Sequence, residues 1–330
     1  MKILVFEYIT GGGFNKQELP EALAHEGRLM LQALLDNFRS CVDISVTVML
    51  DERINGSIDT ASFDAVLIRP EQNSHEVFAD LIRYCDAVWP IAPEFDGILQ
   101  ALCHTVALSG KPLLTSPADA VALTGNKWLT YQHLKQQHIA TVPTRLFTGV
   151  DQHRTGQWLV KPVDGAGCAD SYIVTDLQDF ERMQASPGRY IIQPHRPGKK
   201  TSLSCLFKQG RGWLLCANLQ QFDIINQQYH LSAIIVNHQL DLSLYQELVD
   251  NIAGALPELW GYVGIDLIET QEERLVLEIN PRLTTSFVGI GAALGINVAA
   301  AVLQLLQGEP ALNAVRNRPI TINVQRDESD

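Results

Sequence analysis

The sequence lacks the local patterns that mark the commonest cofactor sites. Its six cysteines, Cys41, Cys85, Cys103, Cys168, Cys205 and Cys216, include no C-x-x-C pair. Scattered thiols of this kind fit a reducing compartment and argue against a disulfide framework or a zinc site. The phosphate-binding pattern G-x-x-x-x-G-K-[ST] is absent. The turn TGGGF, Thr10 to Phe14, lacks both G-x-G-x-x-G spacing and a helix directly after it, so it is no dinucleotide fingerprint. Basic residues are in deficit: 25 Lys and Arg stand against 37 Asp and Glu, a net charge of −12 with a pI near 5.2. Such a surface repels a nucleic-acid backbone, and no nucleic-acid partner is expected. Phe287 to Leu306 carries no charge, but Gly289, Gly291, Gly295, Asn297 and Gln304 interrupt it and basic flanks are missing. It reads as a buried loop followed by a core helix, not as a membrane span. The opening MKILVFEYITGGG has one lysine and no small-residue cleavage site, so it reads as a first strand and turn. These absences favour a cytoplasmic protein with no membrane or nucleic-acid partner.

The chain's 330 residues leave room for two or three domains, and its 46 % hydrophobic content is ordinary for a folded protein. Residues 1 to about 116 alternate short apolar strands with helical patterns. Strands are expected at Ile3 to Phe6, Ile44 to Leu50, Ala65 to Ile68, Ala87 to Pro90 and Pro112 to Leu114. Helices are expected at Glu21 to Phe38, His75 to Tyr84 and Phe95 to Leu108. That alternation implies a parallel sheet with covering helices, whose ligands lie beyond the C-terminal strand ends. Glu7 and the TGGGF turn fall there as candidate substrate contacts. Three glycines allow a close ligand approach or lid motion, and a plain flexible turn is an equal alternative.

The most informative stretch is LVLEINPRLTTS, Leu275 to Ser286. Leu275, Val276, Leu277 and Ile279 make a strand that Pro281 ends. Alternation puts Glu278, Asn280 and Arg282 on one face if extended geometry persists through the proline. Two oxygen donors suit a hard cation such as Mg²⁺, and a guanidinium suits phosphate or an acyl phosphate. A second strand, YVGIDLI, encloses one charge, Asp266, in an apolar run, where a carboxylate is costly unless paired or metal-bound. Paired strands would bring Asp266 to the same site. Thr284, Thr285 and Ser286 adjoin it as substrate contacts.

Upstream, Lys127 follows Gly125 and Asn126 at a helix start, where an ammonium could meet phosphate. Lys161 ends the strand QWLVKP and feeds the turn VDGAGCADS, whose glycines at 165 and 167 can present N–H groups to phosphate oxygens. Gln193, Pro194 and His195 end another strand, where backbone groups could pair with a planar base. An antiparallel meander follows near Trp213 to Gln221 and Gln228 to Val236, then a helix from Leu244 to Leu256. Asn297 is placed to cap a last helix, Val298 to Gln307. The terminal RDESD is expected to fray.

The ordered set Lys127, Lys161 with DGAG, QPHRPG, Asp266 and LEINPR resembles the ATP-grasp superfamily over nearly the whole chain. The resemblance implies a mixed α/β and α+β architecture: a Rossmann-like pre-ATP-grasp domain (1–116), a small ATP-grasp lobe with the Gly-rich loop (117–188), and a C-terminal lobe with the metal site (189–330). It implies that Lys127 and Lys161 contact the phosphates of ATP while Asp164, Gly165, Ala166 and Gly167 close over them. Gln193, Pro194 and His195 would border the adenine. Asp266, Glu278 and Asn280 would hold Mg²⁺ or Mn²⁺, with Arg282 on the transferred phosphoryl group. Lys199 and Lys200 stand where many members place an acid for the ribose. MKILVFEYITGGG, APEFDGIL and EINPRLTTSFVG further resemble the tyramine–glutamate ligase group of methanofuran biosynthesis. That group implies an acyl-phosphate ligase joining L-glutamate to tyramine. The superfamily allows a homodimer. The alternatives are a ligase for another amino acid and amine, or a non-catalytic nucleotide-binding regulator.

Overall fold

The computed structural model describes residues 1–147, 156–165, 171–175 and 189–324. Four parallel strands open the chain: β1 (Lys2–Glu7), β2 (Ser45–Asp51), β3 (Asp64–Ile68) and β4 (Ala87–Ile91), in the order β3-β2-β1-β4. Helices α1 (Glu21–Arg39), α2 (Ser74–Ile82) and α3 (Ile98–Leu108) cover them. Ile3, Leu4, Val5 and Phe6 are all buried, as a strand covered on both faces requires. The strand expected at Pro112 to Leu114 shrinks to one bridge between Val88 and Leu113. Pro112 has no N–H to extend the ladder, and the next residues turn away: the Thr115 and Ser116 hydroxyls donate to the carbonyls of Pro281 and Trp260, each at 2.9 Å.

The glycine turn after β1 is packed, which corrects the expectation of a lid or flexible turn. A side chain on Gly11 would meet the Phe6 ring at 2.6 Å, and Gly12, at φ +94°, lies against Ile68. The glycines serve close packing against the protein's own core.

The second sheet holds β5 (Arg145–Leu146), β6 (Trp158–Pro162), β7 (Tyr172–Val174), β8 (Tyr190–Pro194), β9 (Lys199–Lys208), β10 (Arg211–Ile225), β11 (Gln228–Gln239), β12 (Gly261–Glu269), β13 (Arg274–Asn280) and β14 (Ile320–Asn323). Its order is β13-β12-β9-β10-β11-β7-β6-β8-β5, with β14 against β11. The expected meander is β9 to β11, antiparallel throughout. Helices α4 (Ala118–Thr124) and α5 (Lys127–Gln136) lead into this sheet, and α6 (Ser243–Ala255) packs on β10.

The apolar stretch after Ser286 is two helices, α7 (Phe287–Leu294) and α8 (Val298–Leu305), bent by 103°, where a loop and one helix were expected. Gly289 is there because Val236 lies within 2.7 Å of where its side chain would start. Asn297 caps α8 by accepting from the Ala300 N–H at 2.9 Å. No single helix among the described residues is long and apolar enough to cross a membrane. Against α7 and α8, α1 buries Leu31, Leu34, Leu35 and Phe38, so both sheets share one core. Truncating Leu34 to alanine should cost about 2–5 kcal/mol. The division at 116 and 188 stands as a proposal, since residue 188 lies outside the described residues.

Candidate active site

Strands β12 and β13 pair antiparallel with Asp266 opposite Glu278 and Gly264 opposite Asn280, which brings two carboxylates to one face. Asn280 donates its amide N–H to Asp266 at 3.1 Å. Burial and the neighbouring Glu278 charge push the Asp266 carboxyl well up. Glu278 goes the other way: burial works against its charge, but Lys127 and Lys161 hold its carboxyl below the usual range. The Lys127 ammonium stands 3.2 Å from Glu278 and donates to the Gly165 carbonyl at 2.5 Å. Asn126 caps α5 through the Trp128 and Leu129 N–H groups, and this fixes where Lys127 starts.

Extended geometry does not persist through Pro281. The Arg282 N–H turns back to the Asn280 carbonyl at 2.8 Å, yet the side chain still lines the same cavity as Glu278 and Asn280. The Arg282 guanidinium is largely buried and donates from Nε and Nη2 to the two oxygens of Glu94, each at 2.8 Å, with Nη1 on the Leu283 carbonyl. Burial opposes its charge, and the Glu94 carboxylate more than offsets that, so its pKa lies above the ordinary value. Thr115 ties the Pro281 carbonyl to the segment entering the second sheet, so this turn is pinned from both sides.

Two cavities meet at the carboxylates. The larger, about 120 Å³, runs from Asp266, Glu278, Asn280 and Arg282 to α1 and β11. The smaller, about 80 Å³, is lined by Lys127, Lys161, Lys200, Leu159, Leu277 and Tyr229, among others. Gln220, Phe222, Asp266 and Glu278 line both. A cation-lined chamber suits a polyanion, and a group passing to the other chamber must cross the shared carboxylate wall. The donor set there, two carboxylates with an amide beside them, fits a hard divalent cation, whose charge would offset the burial and the Glu278 repulsion that raise Asp266.

The other expected residues are placed less directly. Asp164 accepts from the Asp96 N–H at 3.1 Å, while Gly165 lines the smaller chamber. Ala166 and Gly167 lie outside the described residues. Gln193 donates to the Thr144 hydroxyl at 2.7 Å, and its own buried Oε1 has no partner among the described residues. The His195 ring pairs with the Tyr229 hydroxyl at 2.5 Å and stacks on that ring. Gln193, Pro194 and His195 line neither chamber, so the structure does not bring their side chains to the paired carboxylates. Lys200, at the position where many members of the superfamily place an acid, sits over the Tyr229 ring at 4.6 Å. Sequence reasoning missed Glu94, Glu26 and Gln220, which donates to Asp266 at 3.0 Å. Glu94 did lie within the quoted APEFDGIL segment.

Comparison with known proteins identifies the family of both parts of the chain. Residues 124–286 match the ATP-grasp domain family, and residues 44–121 match the pre ATP-grasp 3 domain. The tyramine–L-glutamate ligase of Methanocaldococcus jannaschii is 24 % identical over 292 residues, 87 % of this chain and 84 % of the relative. An ATP-grasp superfamily protein from Archaeoglobus fulgidus superposes with a TM-score of 0.73 at 23 % identity, covering 98 % of this chain and 92 % of that one. The biotin carboxylase domain dimer of Hydrogenobacter thermophilus 2-oxoglutarate carboxylase, complexed with MgADP, gives 0.73 at 14 % identity, covering 95 % and 71 %.

The fold and the family matches define a nucleotide-dependent enzyme. The chain belongs to the ATP-grasp superfamily, as a carboxylate–amine ligase with a pre-ATP-grasp domain, forming a C–N bond and releasing ADP. Use of ATP with Mg²⁺ is a property of that superfamily.

Proposed function

We propose that the protein joins L-glutamate to an amine, with tyramine the leading acceptor, through a glutamyl phosphate. The observation that carries this is the pair of chambers meeting at Asp266 and Glu278, one lined by lysines and the other holding Arg282. The named relative acts on tyramine and L-glutamate, and this supports the substrate pair.

In this reading ATP occupies the smaller chamber, with Lys127 and Lys161 on its phosphates. Asp164, Gly165, Ala166 and Gly167 border the phosphates, and the backbone of Gln193, Pro194 and His195 borders the base. Asp266, Glu278 and Asn280 hold Mg²⁺ or Mn²⁺, which supplies charge neutralisation at the phosphate oxygens when bound. A carboxylate oxygen of glutamate attacks the γ-phosphorus, and the bond to the β-phosphate oxygen breaks to release ADP. The acceptor's ammonium first gives one proton to solvent water. The free amine nitrogen then attacks the acyl carbon, phosphate departs with the C–O bonding pair, and the nitrogen gives up a second proton to solvent. Arg282, held by Glu94, keeps its remaining N–H groups aimed at the oxygens where charge develops. Phosphoryl transfer asks little covalent help of a protein, so positioned charge carries the rate. A homodimer belongs to the same reading, on the likeness to the dimeric Hydrogenobacter domain.

The test is isotopic. With L-glutamate carrying ¹⁸O in its carboxylates, one ¹⁸O should appear in the inorganic phosphate for each amide formed. Phosphate free of label would sink the acyl-phosphate route.

A further inference from the structure

The chamber beyond the carboxylates has a wall that the phosphoryl chemistry does not use. Leu23, Glu26 and Met30 recur at helical spacing along α1, so one helix face presents an apolar, acidic, apolar series. Leu231 and Ile234 of β11 complete that wall. An apolar lining with one embedded carboxylate is the complement of a cation with an apolar body.

Four carboxylates line this chamber, and three are spent. Asp266 accepts from Gln220 and Asn280, and Glu278 faces Lys127. Glu7 accepts from the Thr10 N–H at 2.7 Å, the Thr10 hydroxyl and the Ile9 N–H, and burial raises its pKa. Glu26 accepts one bond, from the neutral hydroxyl of Thr285 at 2.5 Å, and forms no salt bridge among the described residues. It is the carboxylate in this chamber left for an incoming ammonium, a charge-assisted partner stronger than a hydroxyl.

The same geometry selects against a second carboxylate. An acceptor bearing one would set it beside Glu7 and Glu26, while in the ligase reading the remaining Arg282 N–H groups are committed to the reacting oxygens. Burying it there leaves a charge without a partner.

We propose that Glu26 binds the ammonium group of the acceptor, and that the acceptor is a primary amine with an apolar body and no carboxylate of its own. This deepens the ligase reading above and rests on it. Thr285 orients the Glu26 carboxylate, and Leu23 and Met30 flank the apolar body.

The experiment compares nucleophiles on the purified full-length protein with ATP, Mg²⁺ and L-glutamate. Hydroxylamine, small and neutral, traps glutamyl phosphate as the hydroxamate without needing the pocket; tyramine and tyrosine do need it. Wild-type protein should use tyramine and reject tyrosine. In Glu26→Gln the KM for tyramine should rise and the ratio of amide to hydroxamate fall by roughly 10- to 100-fold, the loss of one hydrogen bond to a charged group. Hydroxamate formation by the variant also reports that it folds. An unchanged ratio, a KM change on glutamate in place of tyramine, or equal use of tyrosine would overturn the assignment. Hydroxamate without amide from the wild type would overturn it too, yet leave the ligase reading standing, whereas no hydroxamate at all would remove both.

Discussion

Arg282 and Glu94, 188 residues apart in the chain, face each other in a two-bonded ion pair with both bonds at 2.8 Å. Glu94 follows the last strand of the parallel sheet and Arg282 follows β13, so the pair joins the two sheets beside the larger chamber.

Breaking a pair this buried by removing one partner should cost about 3–5 kcal/mol, because a charge is stranded away from water. Glu94→Ala and Arg282→Ala should each show this in chemical denaturation. The double variant should recover part of the stability. Turnover should not return, since removing one contact to developing charge costs about 10²–10³ in rate. A double variant with wild-type ADP formation would exclude Arg282 from the chemistry.

Lys127 and Lys161 both hold the Glu278 carboxyl low and both line the smaller chamber, proposed above to take ATP. Lys161→Met should therefore weaken ATP binding by roughly 10- to 100-fold, as expected when a charged hydrogen bond to phosphate is lost. Calorimetric titration with a non-hydrolysable ATP analogue measures it. Affinity equal to wild type would place the phosphates elsewhere.

Gln220 supports Asp266 without being an expected ion ligand itself. Removing such a supporting group costs about 10–100-fold in metal affinity or activity. Gln220→Leu should raise the Mg²⁺ concentration for half-maximal ADP formation by that factor, and EDTA should abolish turnover in both proteins. An unchanged Mg²⁺ dependence would put the ion away from Asp266.

Glu7 titrates in the opposite sense to a paired carboxylate. Burial raises its folded pKa above 4.5, so the folded state keeps a proton that the unfolded state releases first. Its contribution to stability is fully present below pH 4.5 and is lost as pH rises through the folded value. Thermal unfolding of wild type and Glu7→Gln from pH 4.5 to 7 should show the wild type losing ground to the variant as pH rises. The reverse trend would mean that Glu7 is charged and paired.

Local pattern carried much of this architecture into the sequence reading. Strand β13 was legible because an apolar run ends at a proline, and α5 because Asn126 is a capping residue just before Lys127. The Asp266–Glu278 pairing followed from two apolar strands each enclosing one acid. What escaped depends on distance. Nothing near Glu94 or Glu26 marks their partners Arg282 and Thr285, which lie 188 and 259 residues away. Glycine misled twice: Gly289 suggested a loop and Gly11 a lid, whereas each gives way to a neighbouring side chain in a packed element. Glycine marks close approach, and sequence alone does not say whether ligand or protein does the approaching.

The most direct test is ADP formation by the purified protein with ATP, Mg²⁺ and L-glutamate, with and without tyramine, followed by mass analysis of the product. The account predicts a glutamyltyramine mass that appears only with both substrates and matches the ADP formed. ADP formation with tyramine but no amide product would contradict it.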